Sequence, residues 1–351
     1  MRNSHASTHR LLGRTGVAVP TVVFGTSCLG NLYEVVPDAT KLAIVSEIAH
    51  QSPQPIVFDS AGKYGAGLAL EALGGALRQL GVVPVQVLIS NKLGWYRVPL
   101  RGSEPTFERG VWAGIANDAE SRISYEGILQ CYEQGRELIG REYSPQLVSV
   151  HDPDEFLAAA AGPADRERRF GLVLDAYRAL FELKARGSVA AVGVGSKDWK
   201  VIREIAERVD LDWVMFACSL TVHSHPRELV AFIDHLHRRG VGMINSAVFN
   251  AGFLTGGRWF DYRQPDPEKD RALFAWRENF FAVCRRFGVA PAAACVQFGL
   301  ALPGVTSVAL NTEKPERIRM NLELASAPIP AEFWGALRNE RLIDAEFPIG
   351  R

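Results

Sequence analysis

Four polar side chains with complementary acid–base chemistry stand at or just beyond the ends of three consecutive apolar runs of the sequence. Asp59 lies near the end of residues 55–60, and Tyr64 follows it by five positions. Lys92 lies near the end of residues 87–93, and His151 near the end of residues 146–152. The C-terminal ends of neighbouring parallel strands meet at one rim, so we expect the four side chains to converge there. An acid, a phenol, an ammonium group and an imidazole in one place can transfer protons.

Tyr64 is the natural centre of this chemistry. A free tyrosine has a pKa of ~10 and is a poor base at neutral pH. A neighbouring Lys92 ammonium would lower that pKa, and Asp59 would keep Lys92 charged and oriented. We therefore expect Tyr64 to exchange a proton near neutrality and His151 to donate a hydrogen bond to a substrate oxygen.

Each of these residues taken singly has a simpler explanation. A lone aspartate after a strand is often a helix cap, and a lone lysine or tyrosine at a barrel rim is usually solvated. His151 could be a hydrogen-bonded core histidine. Their joint occurrence on three successive strand ends favours the catalytic interpretation.

Eight short apolar runs alternate with segments of helical periodicity along the chain. The runs cover residues 22–25, 55–60, 87–93, 146–152, 189–196, 213–217, 241–246 and 306–311. Continuous apolarity is typical of strands covered on both faces. Eight alternations predict an α/β fold, a closed (β/α)8 TIM barrel. The alternative, an open doubly wound sheet, lacks the glycine-rich turn that it would need after an early strand.

The segments outside this alternation also carry predictions. Residues 9–23 are typical of a hairpin turning at Gly13 to Gly16, which we expect to plug one end of the barrel. Two long connections, residues 94–120 and 252–268, contain aromatic side chains and are expected to be functional. No linker or repeat interrupts the pattern, so residues 1–351 are predicted to form a single domain.

Composition narrows the classes of function. The chain has 39 basic and 39 acidic residues, with 47% hydrophobic and 22% charged residues, which gives no support for a nucleic-acid or membrane partner. No apolar stretch suits a leader or a membrane span, and five cysteines without a CxxC pair indicate a reducing, cytoplasmic compartment. The expected partner is a small-molecule substrate, with a homo-oligomer possible. No metal site is expected, because the histidine pairs 223/225 and 235/237 lack a third ligand.

Several segments together resemble the aldo-keto reductases. The catalytic segments of that family are similar to FDSAGKYGAG around Asp59 and Tyr64, SNKLG around Lys92, and VHDPD around His151. The similarity continues in RLLGRTGVAVPTVVFGTSCLGN and TEKPERIRMNL, so that it spans roughly residues 10–324. The resemblance implies a (β/α)8 barrel, a nicotinamide cofactor held without a Rossmann domain, and a catalytic tetrad in which Tyr64 is the acid or base.

Two further segments, VHDPDE and SAVFNAGFLTGG, resemble the sugar 1-dehydrogenase branch of the family. Its members oxidise aldoses such as L-fucose, L-galactose or D-threo-aldoses to lactones, and a pyridoxal 4-dehydrogenase is a near relative. The resemblance implies an NAD(P)-dependent aldose 1-dehydrogenase. Within the family, the alternatives are a pyridoxal 4-dehydrogenase or a general aldehyde reductase. The alternatives from other classes are a lyase in which Lys92 forms a Schiff base and a non-catalytic cofactor-sensing subunit.

The resemblance also implies binding residues. Those for the cofactor are Gly25, Thr26, Ser196, Asn245, Ser246, Gly252, Leu254, Asn311, Thr312, Arg317 and Asn321. Those for the substrate are Trp95, Tyr96, Trp112, His151 and Asp152. Relatives carry other residues at Lys197, Cys218 and Asn245, where many have asparagine, glutamine and an aromatic ring.

One of these positions bears on cofactor choice. Asn311 stands where NADP-preferring relatives have a lysine that faces the 2′-phosphate. We therefore expect NAD to be used at least as well as NADP.

Overall fold

The computed structural model describes residues 9–261 and 263–350, and at its centre is a closed barrel of eight parallel strands. In chain order these strands are β3 (Val22–Gly25), β4 (Ile56–Ala61), β5 (Val87–Leu93), β8 (Leu147–His151), β9 (Ala191–Ser196), β10 (Trp213–Ala217), β11 (Gly242–Ser246) and β12 (Val305–Leu310). Each barrel strand pairs with the next along the chain, and β12 pairs with β3 to close the barrel. The predicted (β/α)8 fold is confirmed.

Helices cover the outside of the barrel. They are α1 (Asp38–Gln51), α2 (Leu68–Gln79), α3 (Tyr125–Ile139), α4 (Pro153–Ala158), α5 (Pro163–Ala185), α6 (Trp199–Ala206), α7 (Arg227–Arg238), α8 (Arg271–Phe287), α9 (Pro291–Gly299), α10 (Ile318–Glu323) and α11 (Ala331–Asn339). Local sequence explains their ends. The Ser124 hydroxyl caps α3 by accepting from the Gly127 N–H, and the Asp198 carboxylate caps α6 by accepting from the Lys200 N–H.

The N-terminal hairpin closes one end of the barrel, as predicted. Its strands β1 (Arg10–Leu11) and β2 (Ala18–Val19) are antiparallel. Leu12 and Val19 are fully buried and join the cluster of barrel side chains that includes Trp213. This apolar plug leaves the C-terminal end of the barrel as the end at which polar side chains gather.

Both long connections lie at that C-terminal end. The first contains a second hairpin, β6 (Trp95–Pro99) with β7 (Asn117–Ser121), which the sequence pattern did not predict. A backbone bridge joins its loop at Trp112 to Leu32, beyond β3. In the second connection, the Trp259 ring stacks on that of Tyr33 at 4.2 Å between centroids. The two connections therefore form walls over the barrel mouth.

The described residues contain no helix that is long and apolar enough to cross a membrane. Their five cysteines are free thiols. Cys28 is buried, and burial raises the pKa of its thiol to about 12, so this residue is a packing group.

The plug generates a stability prediction from two adjacent leucines. Leu12 is fully buried, whereas 64% of Leu11 is exposed. We expect Leu12→Ala to lower the free energy of unfolding by about 2–5 kcal/mol, because it opens a cavity in the plug. Leu11→Ala is the matched control and should change it by less than about 0.5 kcal/mol. Urea denaturation measures both, and equal effects would show that the hairpin does not seal the barrel.

Candidate active site

The structure brings together the four side chains expected at the barrel mouth. Lys92 Nζ lies 2.5 Å from Asp59 Oδ2 and 4.7 Å from the centroid of the Tyr64 ring. The Tyr64 and His151 rings meet edge to face, with centroids 5.7 Å apart. All four form one contiguous group at the ends of β4, β5 and β8.

Strand register and one tight turn create this group. In the β4–β5 pair, Asp59 is opposite Ser90, whose hydroxyl donates to Asp59 Oδ1 at 3.0 Å, and Ala61 is opposite Lys92. Tyr64 follows β4 in a turn that continues through Gly65, whose φ is +60°. A Cβ atom at Gly65 would collide with the Gly30 carbonyl, so this turn requires glycine.

The electrostatics of Tyr64 differ from the expectation. Burial raises the pKa of the Tyr64 phenol above its ordinary value, and the lowering effect of Lys92 does not overcome it. The expected shift towards neutrality is therefore wrong for the ligand-free protein. The sequence indicated that Lys92 would lie near Tyr64, but it did not show how deeply Tyr64 is buried. Tyr64 is therefore a protonated phenol at neutral pH.

Lys92 keeps its charge at this depth. Burial by itself would lower the pKa of Lys92, but Asp59 and Tyr64 raise it above its ordinary value. A protonated amine is not a nucleophile. The ion pair thus disfavours Schiff-base chemistry at Lys92.

His151 is a buried, neutral imidazole. Burial places its pKa well below 6.5, and Lys92, Lys63 and Lys197 lower it further against the opposing effect of Asp152. Its Nδ1 atom is buried without a hydrogen-bond partner in the described chain, and Nε2 lies 3.5 Å from Asp152 Oδ2. The ring that meets Tyr64 edge to face therefore has one nitrogen whose hydrogen-bonding capacity is unused within the described chain.

The residues expected to bind substrate divide between two faces of the β6 hairpin. Trp112 lies 5.8 Å from the Tyr64 ring, and Trp95 packs beside it through Phe107. Tyr96 lies beneath the Arg122 guanidinium, 3.8 Å from its ring centroid, on the face opposite to Trp95. Successive strand residues face opposite sides, so the assignment of Tyr96 to the mouth was wrong.

Several expected cofactor residues border the mouth. Gly25, Ser196 and Ser246 are the last residues of β3, β9 and β11, and Asn311 directly follows β12. The Thr26 hydroxyl is instead occupied within the barrel wall, where it donates to Ser60 Oγ at 2.8 Å and contacts the Asp59 carbonyl.

Asn311 provides an unpartnered acceptor at this rim. Its Nδ2 donates to Ser27 Oγ at 2.8 Å, whereas its Oδ1 is buried without a hydrogen-bond partner in the described chain. Nearby, Thr312 caps a turn, Arg317 is exposed and Asn321 is buried on α10. A buried lone acceptor suits a ligand that brings a hydroxyl donor.

Two cofactor assignments were wrong. Asn245 is fully buried outside the barrel wall, where Nδ2 donates to the carbonyls of Leu220 and Gly299 at 2.8 and 3.2 Å. Its neighbour Ile244 occupies the barrel interior. Leu254 packs in the core, and its N–H donates to the Phe249 carbonyl, so it offers no donor. Gly252, with φ +91°, begins the turn that contains Leu254.

Sequence reasoning missed Lys63, although it directly precedes Tyr64. Glu108, Asp152 and Glu155 form the one carboxylate group in the described chain that is spaced to hold a metal. The Lys63 ammonium lies among them, 2.9, 2.8 and 2.7 Å from their oxygens. A cation therefore already occupies this group, and it belongs to the protein. Asp152, which was expected to bind substrate, instead forms an ion pair with Lys63.

Comparison with known proteins agrees with this geometry. Residues 21–340 match the sequence model of the aldo/keto reductase family. Pyridoxal 4-dehydrogenase of Microbacterium luteolum is 30% identical over 350 residues, covering 96% of this chain and 98% of that protein. D-threo-aldose 1-dehydrogenase of a Pseudomonas species is 26% identical, with coverages of 96% and 99%. L-galactose dehydrogenase of Arabidopsis thaliana is 24% identical, with coverages of 89% and 86%.

Solved structures share the fold. An aldo-keto reductase from Bacillus halodurans, in its holo form, superposes with a TM-score of 0.70 at 18% identity and covers 97% of both chains. A glycerol dehydrogenase from Gluconobacter oxydans gives 0.68 at 18% identity, with coverages of 97% and 98%. These likenesses confirm the barrel.

The neutral His151 makes stability depend on pH. Its pKa in the folded chain is below 6.5, so the unfolded chain binds the proton first, and stability present above pH 6.5 is lost as the pH falls. This group should contribute a loss of about 1.4 kcal/mol per pH unit. We expect His151→Asn to flatten that dependence in urea unfolding between pH 7 and 5, with the exposed His235→Asn as the matched control. An unaltered slope in His151→Asn would contradict the buried neutral state.

Proposed function

The chain belongs to the aldo/keto reductase family, and from that premise we propose that it is an aldose 1-dehydrogenase that oxidises a sugar to its lactone. The observation that carries the proposal is the buried Tyr64 phenol in contact with the Lys92–Asp59 ion pair and the His151 ring. The named activities of two relatives, on D-threo-aldoses and L-galactose, support a sugar as substrate.

Proton handling is assigned to this chain's own residues. A bound nicotinamide would accept the hydride from the sugar C1. In oxidation, Tyr64 takes the proton of the anomeric hydroxyl as a phenolate that Lys92 stabilises, and His151 binds the same oxygen. In reduction, the phenol returns the proton. Because burial raises the pKa of Tyr64, the oxidative direction gains rate as the pH rises.

The walls of the mouth suit a sugar. The Trp112 ring lies beside Tyr64, and Trp95 packs next to it on Phe107. The buried Trp95 Nε1 atom has no hydrogen-bond partner in the described chain. Sugars are bound by aromatic stacking combined with a few polar groups. Trp95, Trp112 and His151 are therefore the proposed substrate contacts.

Pyridoxal is the second candidate substrate, because the relative at 30% identity is named a pyridoxal 4-dehydrogenase. Initial rates with L-fucose, L-galactose, D-threo-aldoses, pyridoxal and simple aldehydes, each with NAD and NADP, decide between them. The highest kcat/KM for an aldose supports the proposal, whereas the highest for pyridoxal or a simple aldehyde replaces it. If the protein binds the cofactor but turns over none of these substrates, the result would favour a cofactor-sensing subunit. A borohydride-trapped adduct at Lys92 would favour the lyase.

Tyr64→Phe tests the assigned acid–base group. The change removes the exchangeable proton and keeps the ring, so turnover should fall by ~10²–10⁴. Cofactor affinity, measured by fluorescence titration, should stay within about twofold, since the ring still fills its place. Retention of more than half of the wild-type turnover would remove Tyr64 from the role.

The cofactor is proposed to lie along the part of the rim that runs from β9 through β10, β11 and β12 to β3. The residues that would hold it are Gly25, Ser196, Ser246, Gly252, Asn311, Thr312, Arg317 and Asn321. The unpartnered Asn311 Oδ1 accepts hydrogen bonds, so it suits the 2′-hydroxyl of NAD. A 2′-phosphate would bring only acceptor oxygens, which cannot donate a hydrogen bond to Asn311 Oδ1. We therefore propose NAD as the preferred cofactor.

Asn311→Lys tests that preference. A lysine would give a 2′-phosphate a charge-assisted hydrogen bond of ~1.5–3 kcal/mol, equivalent to roughly tenfold to a hundredfold in affinity. We expect kcat/KM to favour NAD or be equal in the wild type and to shift towards NADP by about that factor in the variant. Two outcomes would contradict the proposed position of the adenosine: a wild type that prefers NADP by more than about tenfold, or a variant with an unchanged ratio of the two kcat/KM values.

A further inference from the structure

Lys63 is the buried centre of an ion-pair cluster beside the proposed active site. Only 1% of the residue is exposed. Oxygens of Glu108, Asp152 and Glu155 lie 2.7–2.9 Å from its Nζ. An ammonium group has three N–H donors, so these three carboxylates can satisfy all of them. Lys197 also pairs with Glu155, which leaves the cluster with two positive and three negative charges.

The three carboxylates come from different parts of the barrel mouth. Glu108 lies on the connection between β6 and β7, whereas Asp152 and Glu155 belong to the segment after β8. Lys63 itself lies in the turn after β4. The cluster therefore joins three separate segments of the mouth: the turn after β4, the connection between β6 and β7, and the segment that leads into the first turn of α4.

Two residues of the cluster have unusual backbone conformations. Glu108 and Asp152 have φ values of +39° and +49°, in the left-handed region that non-glycine residues rarely adopt. Such conformations persist where the surroundings determine them strongly, and they concentrate at functional sites. Here each one directs a carboxylate at Lys63.

Three members of the cluster, Lys63, Asp152 and Glu108, connect to groups of the proposed site. Lys63 directly precedes Tyr64 in the sequence, and Asp152 directly follows His151. The Lys63–Asp152 ion pair thus crosslinks the two residues whose rings meet edge to face. Glu108 Oε2 accepts a hydrogen bond of 2.8 Å from Trp112 Nε1, and the Trp112 ring lies against Tyr64.

We propose that Lys63 is a positioning residue that, through Asp152 and Glu108, sets the placement of His151 and Trp112 around Tyr64. The proposal rests on the proposed function for its catalytic consequence, although the coupling of the three loops stands apart from it. Lys63 does not touch substrate, because its donors are engaged and its side chain is buried. Its loss should lower the rate of the chemical step more than it weakens cofactor binding.

The charges around His151 make this role sensitive to pH. Asp152, Lys92, Lys63 and Lys197 all act on the imidazole, Asp152 raising its pKa and the three lysines lowering it. Removal of Lys63 shifts this balance towards the protonated ring. The acidic limb of the pH–rate profile should therefore move to higher pH in a variant without the charge.

The kinetic test compares Lys63→Met with Lys63→Arg. Single-turnover reduction of NAD by the best aldose should slow by about 10–100-fold in Lys63→Met, the loss expected of a misplacement of ~1 Å, while the Kd for NAD stays within about twofold. Lys63→Arg restores the charge and should recover part of the rate. Adding Asp152→Asn to Lys63→Met should cost little further, because both changes break the same link.

The control is another lysine–aspartate pair, remote from the mouth, in which Asp212 is buried and Lys184 is partly exposed. Lys184 Nζ lies 2.6 and 2.7 Å from the two carboxylate oxygens of Asp212, next to the N-terminal ends of β9 and β10. Lys184→Met should lower stability and leave the rate and pH profile unchanged. An equal rate loss in Lys184→Met and Lys63→Met would indicate that the cluster only stabilises the fold and does not position the site.

Hydrogen exchange of the substrate-free protein tests the coupling without any activity. In Lys63→Met, the backbone amides of residues 62–67, 106–113 and 152–156 should all exchange faster, whereas in Lys184→Met these segments should match the wild type. Faster exchange in only one segment, or a Lys63→Met rate within about twofold of wild type, would overturn the proposal. If the wild type turned over no aldose, the proposed function would fail while exchange still decided the coupling.

Discussion

The buried ion pair between Lys92 and Asp59 is the interaction on which the site depends. Burial of either charge alone would cost several kcal/mol, so the pair is stable only if both partners meet in the barrel. They meet because β4 and β5 lie in parallel register, and the Ser90 hydroxyl and Ser60 carbonyl provide further contacts. The closed barrel thus determines where a positive charge stands beneath Tyr64.

The same constraint shapes the rest of the mouth. Lys63 is as deeply buried as Lys92 and requires three carboxylates, two of which lie in left-handed backbone. His151 lies beside the Asp152 carboxylate, which also pairs with Lys63, but burial holds the pKa of the imidazole low and keeps it neutral. At the mouth, each of these groups is therefore either paired or uncharged. Among the buried atoms without a hydrogen-bond partner in the described chain, His151 Nδ1, Trp95 Nε1 and Asn311 Oδ1 lie where a ligand is proposed to bind.

Burial also sets the direction of the proton chemistry. A low-dielectric mouth strengthens the contact of Lys92 with Tyr64, but it disfavours the phenolate even more. The free protein therefore holds a proton donor. Binding of a substrate and a cationic nicotinamide would change that balance, which links the ionisation of Tyr64 to the loading of the site.

The amino-acid sequence by itself determined the barrel, its hairpin plug and the group of Asp59, Tyr64, Lys92 and His151, because these follow from strand spacing and from the side chain at each strand end. Only the tertiary structure decided which way neighbouring side chains face. Asn245 and Tyr96 stand one residue from positions that face inward, and a single step along a strand reverses the face. It also decided the role of Lys63, since Glu108, Asp152 and Glu155 lie 45 to 92 residues away along the chain and become its neighbours only when the three loops meet over the barrel.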